Sequence, residues 1–346
     1  MSRKKTKVTI EDVALKAGVA KSTVSRIINN APGVKPATRN KVNRVIEALG
    51  FTPDTVARSL KTKLRRQIAL AIDDIRNPYY PEMAWAAEQV AKQNNYRLVL
   101  INHYGNPSEE LAALREANEM HVDGIVMVSI SYPKTLSAAV KKAAVPVCLI
   151  GNNYEANVEA DVVGLSKSAG VLAMEHLIRI GRKRIAYVGG PANLQRGLRF
   201  NAYEKSLAAG FLEQDPALVF KGERLSIDTG LEAAKYLAGL RPMPDAVFAA
   251  NDLVAIGVIQ GLIDLGVRVP DDVAVVGVDD IPWCTLIRPQ VTSVSTLVGE
   301  MGRIAVELLL KRIDHPTNEY QKVNLEPRLV VRESTVRESA ETVPTA

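Results

Sequence analysis

Apolar residues recur at helical spacing over the first fifty positions and in unbroken runs afterwards, so the two regions predict different architectures. Thr9 to Gly18 (TIEDVALKAG) reads as a short helix. Thr9 can cap its start, Asp12 sits three residues on where a capping box needs an acid, and Gly18 supplies a left-handed end. AKSTVSRIINN predicts a second helix with Val24, Ile27 and Ile28 on one face, and Pro36 to Leu49 a third with Val42, Val45, Ile46 and Leu49 together. Two helices joined by a tight glycine turn form a helix-turn-helix, and Ala14 is small where the second helix must come close.

From Gln67 onward the pattern changes. QIALAI, RLVLIN, GIVMVS and PVCLIG read as buried strands, separated by helices near 81–94, 108–119 and 134–143. The alternation continues with RIAYVG, DAVFAAN and VAVVGVD and with helices near 166–180, 199–209, 229–239 and 253–265. Continuous apolar strands alternating with helices predict α/β halves built on doubly wound parallel sheets, covered on both faces, with a cleft between them. Ligands bind such sheets outside the carboxyl ends of the strands. There the chain places Asp73-Asp74, Asn77-Pro78-Tyr79-Tyr80, Asn251-Asp252 and Asp279-Asp280, and Arg199 opens a helix. Aromatic faces with carboxylates, amides and an arginine suit a small polyhydroxylated or heterocyclic ligand. Taken one at a time, each of these residues also reads as a helix cap or a solvated loop residue.

Charge divides the chain as the periodicity does. Residues 1–66 hold 16 of the 44 Lys and Arg but 4 of the 38 Asp and Glu, leaving an acidic surplus in the remainder. A basic head on a mildly acidic body is the signature of a polyanion-binding module joined to something else. No apolar run reaches the roughly 18 residues needed to span a bilayer, and no apolar segment follows the basic N-terminus as a signal peptide requires. Cys148 and Cys284 are too few for a disulfide framework or a metal site and are expected as buried thiols in a reduced cytoplasm. His103, His121, His176 and His315 show no metal spacing, phosphate-loop and hydrolase motifs are absent, and nothing pairs a nucleophile with a base; no catalytic residue and no cofactor is expected.

The polar face of the second helix therefore gains a task. Laid in a major groove, its N-terminal residues reach base edges. Lys21 and Ser22 stand at the leading end, Arg26 can bond guanine O6 and N7, and Thr23, Ser25 and Asn29 can hold phosphates. A solvated face on an ordinary bundle is the competing reading.

TIEDVALKAGVAKSTVSRIIN, followed by TRNKV, ALGFTP and VARSLK, resembles the head of the lactose-repressor (LacI) family of bacterial transcription regulators, and the body resembles that family's type I periplasmic-binding-protein-like core over its whole length. The resemblance implies a homodimer that binds a palindromic operator in double-stranded DNA, acts as a repressor and responds to a small-molecule effector such as a sugar. The protein would be cytoplasmic and nucleoid-associated, with no membrane partner. A partner- or ligand-controlled activator or global regulator is the alternative within the family; a small-molecule receptor without DNA is the one outside it, and residues 1–66 speak against that. Thr9 joins the DNA-contacting set. Ala57, Leu60 and Lys61 match a hinge helix in which the leucine wedges between base pairs in the minor groove; such a wedge unstacks a step and kinks the duplex. Leu60 packing on the body as a linker anchor is the plainer reading. Arg199, Asn251 and Asp279 match effector-contacting positions, and Tyr79 and Tyr80 the aromatics that line the cleft.

The implied domains are 1–52 (DNA-binding), 53–66 (hinge helix and linker), 67–340 (effector binding and dimerisation) and a tail, 341–346. The core's N-subdomain would take about 67–163 and 294–324, and its C-subdomain about 164–293 and 325–340. The chain is expected to cross three times, with TSVST and a helix near 299–312 returning to the first half and PRLVVRE ending in the second. Departures from the family pattern are Ala20 for Ser, Lys35-Pro36 for Ser-Glu, Ala202 for Gly, Gly151-Asn152 where Asp is common, and Leu165-Ser166 in place of Asp-Asn. The last two remove polar anchors from the cleft, which points to an effector unlike a plain hexose or to none that binds tightly. The polar C-terminus shows no apolar heptads, so no tetramerising helix is expected.

Overall fold

The structure is a computed structural model that describes residues 8–28, 32–51, 64–129, 134–151, 158–190 and 198–336. The chain separates into two units, residues 1–65 and 66–346.

In the first unit, helices α1 (Ile10–Ala17), α2 (Lys21–Ile28) and α3 (Pro36–Leu49) enclose a core of Val13, Ala14, Ala17, Val24, Ile27, Val42 and Phe51. The capping box is present as read: Asp12 N–H donates to Thr9 Oγ1, and the Asp12 carboxylate accepts from Thr9 N–H at 2.8 Å. Gly18 ends α1 at φ 61, a conformation that costs a residue with a Cβ, and its N–H returns to Leu15 at 3.2 Å. Lys35 caps α3 with no side-chain bond, as Pro36 in the first turn implied. Phe51, after the last helix, is buried and closes the core.

The second unit begins with β1 (Gln67–Ile72), α4 (Tyr79–Gln93), β2 (Arg97–Asn102), α5 (Pro107–Glu119), β3 (Gly124–Val128), α6 (Lys134–Lys141), β4 (Val147–Ile150) and β5 (Asp161–Leu165). It continues with α7 (Ala169–Arg179), β6 (Ile185–Gly189), α8 (Leu198–Ala209), β7 (Val219–Lys221), α9 (Ile227–Gly239), β8 (Ala246–Ala249), α10 (Asp252–Asp264) and β9 (Ala274–Asp279). β10 (Thr292–Ser295), α11 (Val298–Asp314), β11 (Lys322–Leu325) and β12 (Arg328–Val330) complete it. Among the described residues one sheet has the order β11-β5-β4-β3-β1-β2, all parallel. The other runs β12-β10-β9-β8-β6-β7, parallel except for the β10–β12 pair. The inner strands of each sheet are buried on both faces, which is why they read as unbroken apolar runs. In the second lobe, α9 and α10 touch backbone to backbone: a Cβ on Gly257 would lie 2.1 Å from the Ile227 carbonyl.

The chain crosses between lobes after β5, after β10 and after β11. Helix α11 packs on α4 and its sheet, and PRLVVRE ends in the second sheet, both as expected. TSVST does not return to the first half. Thr292–Ser295 pairs with β9, so the crossing lies after it. The hydroxyls of that stretch decide the placement: buried Thr292 Oγ1 donates to the Arg332 carbonyl at 2.9 Å and buried Ser293 Oγ to Asp252 at 2.6 Å, partners that only the second lobe offers.

Candidate functional site

The head presents one polar helix face. Val24 and Ile27 anchor α2 in the core, which leaves Lys21, Ser22 and Arg26 exposed and Thr23 and Ser25 half-buried. Arg26 Nη2 donates to the Pro32 carbonyl at 2.8 Å, so its guanidinium is held at the turn after the helix with other N–H groups left to donate. Lys21 Nζ lies 2.5 Å from Glu11 Oε1 on α1. Thr9 Oγ1 donates to Asp12 Oδ2 at 2.7 Å and accepts from Asp12 N–H, so its hydroxyl serves the cap. Asn29, Ala57, Leu60 and Lys61 lie outside the described residues.

In the body, the strand ends assemble the second expected group. Arg199, in the first turn of α8, donates through Nη2 to Asp279 Oδ1 at 2.7 Å and through Nη1 to the Ala250 carbonyl. Asp279 ends β9 at φ 115 and Asp280 follows at φ 56, two left-handed residues in succession that turn the strand end sharply. Asn251 ends the β8 run and caps α10, its Oδ1 accepting from Val254 N–H at 3.0 Å. It is buried, and its carbonyl oxygen is committed to the cap. Asp252 accepts from Ser293 Oγ at 2.6 Å and from Ile281 N–H at 2.9 Å.

Electrostatics follow burial. Asp252 is pushed from the ordinary 3.8 to about 7, first by burial and then by the charge of Asp279. Burial also raises Asp279, against the pull of Arg199. Asp73, at the end of β1, is raised to about 6 by burial and by Asp74, whose own pKa is lowered chiefly by hydrogen bonds from Arg76. Tyr79 is pushed up to about 12 and Tyr80 well above its usual value, both mainly by burial, and both sense Asp279 and Arg199. The two rings meet edge to face at 5.1 Å. Tyr79 packs against the cores of both lobes and accepts from Thr296 Oγ1 at 3.4 Å. The structure thus brings Arg199, Asp279 and Asn251 together in one lobe, with Tyr79 and Tyr80 of the other within electrostatic reach.

A folded-state pKa above the unfolded value means that the native state binds the proton more tightly. The contribution of Asp252 to stability is therefore full below about pH 4 and declines as pH rises through about 7. Urea unfolding should show the native protein losing stability relative to Asp252→Asn between pH 4 and pH 8; a difference independent of pH would remove Asp252 as the cause.

Sequence reading missed Ser293, Thr296 and the Ala250 carbonyl, because their placement depends on strand pairing rather than local pattern. Leu165, where the family pattern has a polar residue, packs against the cores of both lobes at the first crossing. Gly151 stands at φ 146. Cys148 and Cys284 are buried free thiols. Among the described residues no helix is long and apolar enough to cross a membrane, and no group of three or more His, Cys, Asp or Glu could hold a metal ion.

Residues 9–54 match the pattern of the bacterial regulatory proteins of the lacI family, and residues 174–335 that of the periplasmic binding protein-like domain. Catabolite control protein A of Priestia megaterium is 34% identical over 330 residues, covering 95% of this chain and 99% of that protein. The solved complex of the transcriptional regulator CelR with cellobiose is 32% identical, with a TM-score of 0.68, and covers 94% of this chain and 99% of that one. The lac repressor dimer bound to operator and the anti-inducer ONPF shares the fold at a TM-score of 0.84 and 24% identity, over 96% of this chain and 100% of that one. The chain belongs to the lacI family of bacterial regulatory proteins.

Proposed function

We propose that this DNA-binding transcriptional regulator is a dimeric repressor whose hold on a palindromic operator changes when a sugar or sugar derivative enters the cleft between the body's lobes. The reading rests above all on the head: an exposed Lys21, Ser22 and Arg26 on a helix fixed from behind by Val24 and Ile27. Thr23 and Ser25 with Asn29 hold phosphates; Thr9 contributes by ordering α1 through its cap. Ala57, Leu60 and Lys61 bind the minor groove. Two heads on a two-fold site require a two-fold dimer. The protein works in the cytoplasm, on the nucleoid, and is not an enzyme.

Arg26→Ala should cost about 1–3 kcal/mol of operator affinity and relax preference at one position per half-site. A uniform loss across all sequences would make Arg26 a phosphate contact instead.

The ligand contacts are Arg199, Asn251, Asp279, Tyr79 and Tyr80. The Arg199–Asp279 pair supplies N–H donors beside a carboxylate acceptor, the combination that adjacent hydroxyls satisfy. The CelR relative is a complex with cellobiose, which makes an oligosaccharide a fair first probe. With Gly151 and Leu165 at two positions where polar anchors are usual, a plain hexose is expected to bind weakly. Calorimetric titration with glucose, galactose and cellobiose tests this, and micromolar binding of a plain hexose would refute it. Ligand and operator affinities are linked, so a ligand that weakens operator binding tenfold must itself be bound tenfold more weakly by the operator complex.

A further inference from the structure

The capping box of α1 leaves one acid without a role in the cap. Asp12 is spent on Thr9: its Oδ2 accepts from Thr9 N–H at 2.8 Å and from Thr9 Oγ1 at 2.7 Å. Glu11, one residue earlier, sends its carboxylate to Lys21 Nζ at 2.5 Å, and both side chains stay well exposed, 70% and 59%. Lys21 is the first residue of α2, the end that leads into a major groove. The two side chains therefore stand together at the leading end of α2.

In the first turn of α1 the Glu11 charge suits the helix dipole, but that preference places no lysine beside it. An exposed ion pair does little for stability, and next to phosphates a free negative charge is repelled. Base edges offer it a donor, and the cytosine N4 amino group is the one acidic side chains accept from in the major groove. A G·C pair shows guanine N7 and O6, both acceptors, followed by cytosine N4–H, a donor. O6 and N4 are themselves hydrogen-bonded, about 2.9 Å apart. A Lys ammonium and a Glu carboxylate 2.5 Å apart match that spacing and that order: Nζ toward O6 and N7, Oε1 toward N4–H. An A·T pair fits worse. Its single amino group lies between the acceptors N7 and O4, both of which would repel the carboxylate.

The geometry points to Glu11 as a specificity-determining residue: Glu11 and Lys21 together read one G·C base pair in each half-site. The inference rests on the head binding operator DNA, and adds a base-reading residue on α1, outside the recognition helix. The ion pair also restrains nonspecific binding, because it neutralises one cation that would otherwise track phosphates.

Fluorescence anisotropy on the full-length protein tests this at fixed salt, with the symmetric duplex recovered by selection and with duplexes substituted one base pair at a time. The native protein should prefer G·C at one position per half-site by roughly tenfold or more. Glu11→Ala and Lys21→Ala should each flatten preference at that same position, the double variant should flatten it no further, and the position read by Arg26 should be unchanged. Glu11→Gln, which keeps an acceptor oxygen, should retain part of the preference. Circular dichroism melts should coincide, since neither side chain is in the core. The inference is overturned if the two variants flatten different positions, if the shared position prefers A·T, or if Glu11→Ala tightens binding to every duplex equally. Absence of any sequence preference in the native protein would instead strike the operator reading itself.

Discussion

Arg312→Met should destabilise the body by about 3–5 kcal/mol. Arg312, on α11, forms a bidentate pair with Asp161 of β5, with Nε and Nη2 at 3.0 Å from the two carboxylate oxygens. Its side chain is 7% exposed and that of Asp161 3%. The guanidinium also donates to the carbonyls of Pro316, Asn318 and Glu319 and lies 4.4 Å from the centre of the Tyr320 ring. Asp161 in turn accepts from Gln321 N–H at 2.8 Å. One residue thus fastens the helix that re-enters the first lobe, the segment after it and a strand beside the first crossing. Met fills the space but leaves a buried carboxylate without its cation, held by Gln321 N–H alone, and three carbonyls without the guanidinium. Asp161→Leu should cost a similar amount, and the double variant should cost far less than the sum, since the uncompensated charge is then gone. Equilibrium urea unfolding measures all three. Additive losses would mean that the pair is not the coupled unit described here.

Leu60→Ala should remove most specific operator affinity, at least roughly tenfold or about 1.4 kcal/mol, while nonspecific binding persists. An apolar wedge at a base step acts only where the DNA bends to accept it, and a pyrimidine–purine step bends most readily. Truncation to Ala keeps the charges of Lys61 and its neighbours, so the salt-dependent phosphate contacts remain. Specific affinity within about twofold of the native protein would reject the wedge and favour Leu60 as a linker anchor.

The elements that carry the fold were largely legible. QIALAI, GIVMVS and VAVVGVD are strands within a residue of where their apolar runs lie, because burial on both sheet faces writes itself into an unbroken run; RLVLIN, also a strand as read, lies at a sheet edge with Leu100 exposed. DVVGL, VFK and KVNL escaped notice. The last two are short edge strands, three and four residues, and KVNL alternates polar with apolar residues, while DVVGL is five residues with a glycine. TSVST went to the wrong lobe because its hydroxyls gave no local hint of their partners, which lie forty residues away. In the candidate site, the strand-end rule found Arg199, Asn251 and Asp279. The competing helix-cap reading holds for Asn251, whose oxygen accepts from Val254 N–H, but nothing local showed that Arg199 would bridge Asp279 and a backbone carbonyl. Residue type gives chemical capacity; partner choice comes from long-range packing. The Glu11–Lys21 pair has the same origin, since ten positions of sequence separate two side chains that the glycine turn brings together.

The most direct measurement is a binding selection from random duplex DNA at fixed, moderate salt. Recovery of a palindrome with a flexible central step, bound with an affinity that falls with salt but stays well above that for random sequence, is the expected result. Recovery of no consensus, with binding that collapses as salt rises, would mean that the head grips only the phosphate backbone and would contradict the operator-specific regulator.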